Sequence, residues 1–257
     1  PQCAQIMEDI FKEAGLPDGV YNNLFVPGNA VGKLVSDPRI KAVSLTGSEA
    51  AGASIAAAAG TNVKKSTLEL GGSDPFIILE DADLDKAAET AVYGRMWNAG
   101  QVCVSPKRII VPESKKTEFL NKVKVIFGKL KVGNPLDADT DVAPLSSEKA
   151  AQDVEKQIQK AAQQGAKIEL GGKRLDRPGA FLEPTLITGV TPDMDAFYEE
   201  IFGPVFVMYS YKTVEDAIKL ANATDFGLGG TVFGKDIERA KAVARKIDTG
   251  MVYIIHV

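Results

Sequence analysis

The sequence predicts an α/β fold built on parallel, doubly wound sheets. Short β-type apolar runs alternate with helix-length segments from one end to the other, and brief Gly-, Pro- or Asp-marked turns separate them. There is no internal repeat and no low-complexity linker. Parallel neighbours need a crossover connection, and a helix is the usual one, so strand–helix alternation points to this class.

Each element has its own local reason. Apolar Ile6, Ile10, Phe11 and Ala14 recur at helical spacing, and Gly15 with Pro17 stops that helix. "NNLFV" (22–26) reads as a strand. "NAVGKLV" is a short helix, ended by the turn that Asp37-Pro38 imposes. "KAVSLTG" reads as a strand, "SEAAGASIAAAAG" as an Ala-rich helix closed by Gly60, and "KKSTLEL" as a further strand. After Gly71 and Gly72 the alternation resumes with different punctuation. This predicts two α/β units, 1–70 and 71–257, joined just after Glu69.

In the second unit "PFIILE" is a strand, and 82–97 is a helix whose early acids suit the helix dipole. "KRIIVP" is a strand, and 114–130 an amphipathic helix with Ser114 as its expected N-cap. Residues 146–165 form a helix ended by Gly165. Then follow "AKIELGG" and "PVFVMYSY" as strands, "TVEDAIKLANA" as a helix, "GTVFG" as a strand, "DIERAKAVARKI" as a helix and "GMVYII" as a strand.

Composition narrows the function. The chain has 257 residues, 45% hydrophobic and 25% charged, with a formal charge of −4. Net negative charge argues against nucleic acid or an anionic membrane as partner. The basic runs 107–109 and 129–131 read as solvated faces. No apolar run approaches the roughly 20 residues needed to cross a bilayer. The first residues lack the basic and apolar regions of a secretory signal. With only Cys3 and Cys103, no disulfide framework exists, and a cytoplasmic location is expected. The single histidine, His256, and two distant cysteines do not make a zinc site or a convincing Ser-His-Asp triad. The chain opens inside a helical pattern and closes inside a strand pattern, so a piece of a larger protein is expected.

Four stretches could carry chemistry. In "SLTGSEAAG" (44–52) a strand runs into Gly47-Ser48 and then a helix. Such a junction can face N–H groups toward a phosphate, although a tight turn with no ligand fits equally well. In "TLELGGSDPF" (67–76) Glu69 closes an apolar strand directly before two glycines. In "NAGQVCVSPKR" (98–108) Cys103 sits among turn-forming and polar residues. A buried structural thiol is the commoner fate of a cysteine, yet this loop suits an accessible nucleophile. In "YEEIFGPV" (198–205) a carboxylate could accept from sugar hydroxyls while an aromatic ring lies on a flat cofactor; a solvated acidic helix end is the plainer reading.

Taken together and in this order, "SLTGSEAAG", "LELGGSDPFIILEDADLDKA", "NAGQVC" and "EEIFGPV" resemble the aldehyde dehydrogenase superfamily. The likeness runs from about Pro1 to at least Tyr253. "NAGQVCVSPKRIIV" looks most like bacterial succinate-semialdehyde dehydrogenases. The resemblance implies that 1–70 is the C-terminal part of a Rossmann-like cofactor domain and 71–257 a catalytic thiol domain, cut short at its end. It implies Cys103 as nucleophile, Glu69 as general base, Gly47 and Ser48 beside the phosphates of NAD or NADP, Glu200 on the nicotinamide ribose and Phe202 near its ring. It also implies a small aldehyde substrate and a parent that is a homo-oligomer.

The implied chemistry is thiolate addition to the aldehyde, an oxyanion held by donors, oxidation to a thioester, and water attack assisted by Glu69. Segments the family uses for the oxyanion Asn, for an adenosine-ribose Lys and for the substrate pocket fall outside this sequence, and Ile255 stands where an Asn is usual. The isolated chain is therefore expected to be impaired. A non-catalytic remnant and a cofactor-independent thiol esterase are the competing readings.

Overall fold

Residues 2–255 are described by a computed structural model. His256, weighed above as a triad member, lies outside the described residues. The chain divides into two compact units, Pro1–Leu70 and Gly71–Val257. Among the described residues no helix is long and apolar enough to cross a membrane.

The first unit contains α1 (Gln2–Glu13), α2 (Gly28–Ser36), β1 (Ala42–Thr46), α3 (Glu49–Thr61) and β2 (Lys65–Glu69). β1 and β2 pair in parallel from Ala42↔Lys65 to Thr46↔Glu69, with α3 as the crossover. Gly60 lies inside α3 rather than closing it; Asn62 caps the helix. The core is small: Val35, Ile55 and Ala59, with Val31, Val43, Leu45 and Leu68 packed against them. Gly52 serves this core directly, because a Cβ there would fall 2.5 Å from Leu70 Cδ2. The predicted strand at 22–26 is not one. It has no ladder partner among the described residues, and Leu24 and Phe25 are exposed. Apolar composition favours a strand only where a neighbour supplies hydrogen bonds.

The second unit holds a seven-stranded sheet of order β5-β6-β7-β4-β3-β8-β9. Its strands are β3 (Asp74–Ile78), β4 (Pro106–Pro112), β5 (Lys167–Leu170), β6 (Thr185–Thr188), β7 (Val205–Tyr211), β8 (Gly229–Phe233) and β9 (Met251–Ile255). Helices α4 (Leu84–Met96), α5 (Lys116–Phe127), α6 (Glu148–Gln163), α7 (Asp195–Tyr198), α8 (Val214–Ala221) and α9 (Ile237–Ala244) accompany it. All neighbours are parallel except β5, which runs antiparallel to β6 at the edge. Successive side chains of a strand point to opposite faces. Phe76, Ile78, Ile109 and Val111 accordingly enter one core, while Ile77 and Ile110 enter the other. A sheet covered on both faces needs uninterrupted apolar runs, which is why β3 and β4 read that way.

The helix starts follow from capping chemistry. Asp83, Ser147 and Asp236 side chains accept from first-turn N–H groups of α4, α6 and α9, and Thr213 with Asp216 forms a reciprocal capping box at α8. Ser114 does not cap α5; its hydroxyl donates instead to Glu80, 3.0 Å away. Strand β6 was not expected from sequence. It is four residues long between Pro184 and Gly189, yet fully buried, so tertiary packing rather than local pattern makes it. Between β3 and β4 the register slips. Asp74 pairs with Pro106 and Pro75 with Arg108, leaving Lys107 without a partner as a β-bulge.

Candidate active site

On the first unit, β1 and β2 end side by side. Thr46 pairs with Glu69, and Gly47 N–H donates to Glu69 C=O at 3.0 Å. The Gly47-Ser48 turn and the Glu69 carboxylate thus rise from the C-terminal ends of neighbouring parallel strands, the usual ligand edge of an open α/β sheet. Ser48 Oγ accepts from Ala51 N–H at 3.3 Å and caps α3. A Cβ at Gly47 would meet only ordinary contacts, so packing does not require glycine there. Glu69 is exposed, not sunk in the apolar strand it terminates.

On the second unit, Cys103 lies in the loop between α4 and β4 and is half-buried, whereas Cys3 is exposed. The loop enters through three consecutive left-handed residues, Asn98 (φ 51°), Ala99 (φ 53°) and Gly100 (φ 73°). Such a run costs energy at the non-glycine positions and persists only where surroundings dictate it. Asn98 and Gln101 tie it internally through side-chain bonds to each other's carbonyls, both 3.1 Å. Gln101 Oε1 also accepts from Ser146 N–H at 2.8 Å. Gly100 is obligatory on two counts, its positive φ and the Gly203 carbonyl 2.0 Å from where a Cβ would stand.

Arg95, on the last turn of α4, is wholly buried and ties this loop to the segment 201–205. Its guanidinium donates to Gly100 C=O (3.0 Å), Ser105 Oγ, Val205 C=O, Ile201 C=O and Gly203 C=O (each 2.6 Å). Those five bonds use every donor the group has. Burial draws its pKa down to about 9, with the Glu200 charge working the other way.

Glu200 is held from two sides. Its Oε1 accepts from Gly72 N–H at 3.2 Å and pairs with Lys107 Nζ at 3.2 Å. The two glycines after Glu69 make room for these contacts. A Cβ at Gly71 would lie 2.5 Å from Glu200 Oε2, and one at Gly72 would lie 2.6 Å from the Cys103 carbonyl oxygen. Phe202 is 42% exposed, its ring centroid 6.0 Å from Lys107 Nζ. The second unit therefore brings Cys103, Glu200 and Phe202 together. Glu69, Gly47 and Ser48 belong to the first unit.

The run 107–109, read from sequence as a solvated face, is buried: Lys107 is 4% and Arg108 2% exposed. Arg108 donates to the carbonyls of Ser73, Leu220 and Ala221. Burial lowers the Lys107 pKa to about 8, helped by Arg95 and opposed by Glu200. Asp74, whose Oδ1 accepts from Gly229 N–H, is pushed up by burial to about 6 against the pull of Lys107. Sequence reasoning missed Arg95, Lys107, Arg108 and Asp74 as parts of the site. The available signal was charges abutting the apolar runs of β3 and β4, and for Arg95 only its place in the last turn of α4. An apolar pocket of about 360 Å³ between α4 and α5 shares Trp97 and Asn98 with the Cys103 loop but none of Arg95, Cys103, Lys107 or Glu200.

The second unit thus carries a half-buried thiol on a strained loop, tied to the segment holding Glu200 and Phe202. The chain matches the aldehyde dehydrogenase family over residues 1–256 and belongs to it. Among its relatives, the succinate-semialdehyde dehydrogenase [NADP(+)] of Deinococcus radiodurans is 47% identical over 256 residues, covering 100% of this chain and 54% of the relative. The Mycobacterium tuberculosis (strain H37Rv) succinate-semialdehyde dehydrogenase [NADP(+)] 1 is 45% identical over 254 residues, covering 99% and 56%. The crystal structure of succinic semialdehyde dehydrogenase from Streptococcus pyogenes in complex with NADP+ superposes with a TM-score of 0.96 at 47% identity, covering 99% of this chain and 56% of that one. The NAD-dependent aldehyde dehydrogenase of Sinorhizobium meliloti gives 0.94 at 38% identity, covering 97% and 50%. The chain thus spans about half the length of the relatives it matches.

Proposed function

We propose that the protein containing this chain oxidises a small aldehyde, succinic semialdehyde first, to its carboxylic acid with NAD or NADP as electron acceptor. In this reading 1–70 contributes to the cofactor domain and 71–257 to the catalytic domain, and the whole protein assembles as a homo-oligomer. The observation that carries it is the half-buried Cys103 on a loop that Arg95 and Lys107 tie to Glu200 and the segment 201–205. The NADP+ in the names of the relatives supports trying NADP first.

The residues fit such a cofactor. Glu200 Oε1 is committed to Gly72 and Lys107, while Oε2 carries no donor among the described residues and suits a ribose hydroxyl. Phe202 offers an exposed face to a planar ring. The first turn of α3, which Ser48 caps at a single N–H, has further N–H groups for a phosphate. When bound, the nicotinamide supplies the two-electron acceptor.

The chain's own groups do the rest. The Cys103 thiolate adds to the carbonyl carbon, forming a C–S bond and an alkoxide. Oxidation of that adduct leaves a thioester on sulfur. Glu69 then takes a proton from water as it attacks the acyl carbon, and the C–S bond breaks to free the carboxylate and Cys103.

The test is cofactor reduction with succinic semialdehyde, alongside Cys103→Ala and Glu69→Gln. Loss of all turnover in the first is expected. In the second, one equivalent of reduced cofactor should form and then stall at the thioester. Activated-ester hydrolysis lost in Cys103→Ala but no cofactor reduction would select the thiol esterase. No activity of either kind would select a non-catalytic chain.

A further inference from the structure

We propose that Lys107 is a positioning residue that sets the Cys103 turn and the Glu200 carboxylate with one buried cation. This rests on the dehydrogenase reading above and goes beyond it by assigning a role to a residue outside the nucleophile, base and cofactor contacts.

The bulge is the first support. Lys107 is the extra residue between the pairs Asp74↔Pro106 and Pro75↔Arg108, so it owes nothing to the ladder, and a bulge re-aims a side chain. The second is saturation. Nζ donates to Val102 C=O at 2.9 Å and Cys103 C=O at 2.8 Å, and pairs with Glu200 Oε1 at 3.2 Å. An ammonium has three N–H bonds, and these three acceptors account for them. The third is the identity of the partners. Two flank or belong to the nucleophile's peptide, and one is the carboxylate assigned to the ribose.

The environment makes Lys107 costly to keep. It is 4% exposed and stands near the buried Arg95 guanidinium, whose like charge opposes it. A merely structural need at this place is met as well by an apolar pair of similar volume replacing both Lys107 and Glu200. What an apolar side chain lacks is the ability to commit Glu200 Oε1, leaving Oε2 as the oxygen for the cofactor. It also cannot hold the Cys103 carbonyl, which fixes the peptide plane carrying the thiol.

The experiment is a double-mutant cycle on the full-length protein, combining Lys107→Met with Glu200→Gln. It reads NADPH dissociation by fluorescence titration and, separately, the iodoacetamide rate at Cys103. Lys107→Met is expected to weaken NADPH binding about tenfold in the parent and less than about twofold in the Glu200→Gln background. It should also slow Cys103 alkylation about fivefold, with Lys107→Arg recovering part of both. Lys107→Gln, which keeps a donor for the carbonyls, serves as second variant if the Met form does not fold. A structural ion pair would lower Tm yet leave these ratios alone. Additive effects, or unchanged binding and alkylation in a folded variant, would overturn the proposal alone. An unsubstituted protein that neither binds NADPH nor alkylates faster at Cys103 than at Cys3 would overturn the dehydrogenase reading and this proposal with it.

Discussion

Gly72→Ala tests a close backbone contact of the Cys103 loop. A methyl group there would stand 2.6 Å from the Cys103 carbonyl oxygen, against 3.4 Å or more in ordinary contact, so the carbonyl must retreat by about 0.8 Å. The obstacle is backbone, already fixed by the Lys107 ammonium, and it cannot swing aside like a side-chain tip. A displacement near 1 Å at a reacting group is worth about a hundredfold in rate. The strain itself should cost about 1–3 kcal/mol of stability. Iodoacetamide kinetics at Cys103, followed by peptide mass spectrometry on folded protein, are the assay. The expected result is an alkylation rate about one to two orders of magnitude below the parent. Gly71→Ala presses on the movable Glu200 Oε2 instead and should spare alkylation while weakening cofactor binding. Gly32→Ala, on α2 with open space around it, should add about 0.5–1 kcal/mol of stability. Parent-like alkylation and parent-like Tm in Gly72→Ala would refute the reasoning.

Three further outcomes follow from the same geometry. Cys103 should alkylate faster than Cys3 although Cys3 is the more exposed; equal or reversed rates would remove the case for an activated thiol. Asp74 has a folded pKa raised from 3.8 to about 6, so its favourable contribution is complete below about pH 4 and is lost as pH rises through 6. Urea-derived unfolding free energies of parent and Asp74→Asn should therefore diverge by about 3 kcal/mol between pH 3.5 and 7, the parent losing ground; parallel pH curves would contradict this. Arg95→Met strands five acceptors in the interior and should cost about 3–5 kcal/mol, seen as a Tm lowered by about 10 °C or more.

Strands β3 and β4 were legible because both faces of a parallel sheet must be apolar, and "PFII" and "RIIV" say so without interruption. Helices were legible where a cap marked the start, as at Ser147 and Thr213. The Cys103 loop stood out through Asn98, Gly100 and Gln101, each with a turn or tie to make. What stayed hidden depends on distant partners. Arg95 looks like a solvent-facing helix residue until carbonyls from 201, 203 and 205 close around it, and Arg108 until those from 220 and 221 do. β6 is too short to advertise itself, and 22–26 has a strand's composition with no neighbour to pair with. Glu69 reads as an apolar-strand acid, whereas exposure at the strand end is set by what packs over it.

The unpaired residue at 107 separates two kinds of bookkeeping in one polypeptide. Every cross-strand pair from Pro75↔Arg108 onward would survive excision of position 107, so the two cores would keep their membership. The stretch upstream would not, because shortening it by one reverses the inside–outside parity with which 103–106 meets the sheet. Excision of position 107 is thus expected to leave the scaffold's register in place while turning the loop's approach over.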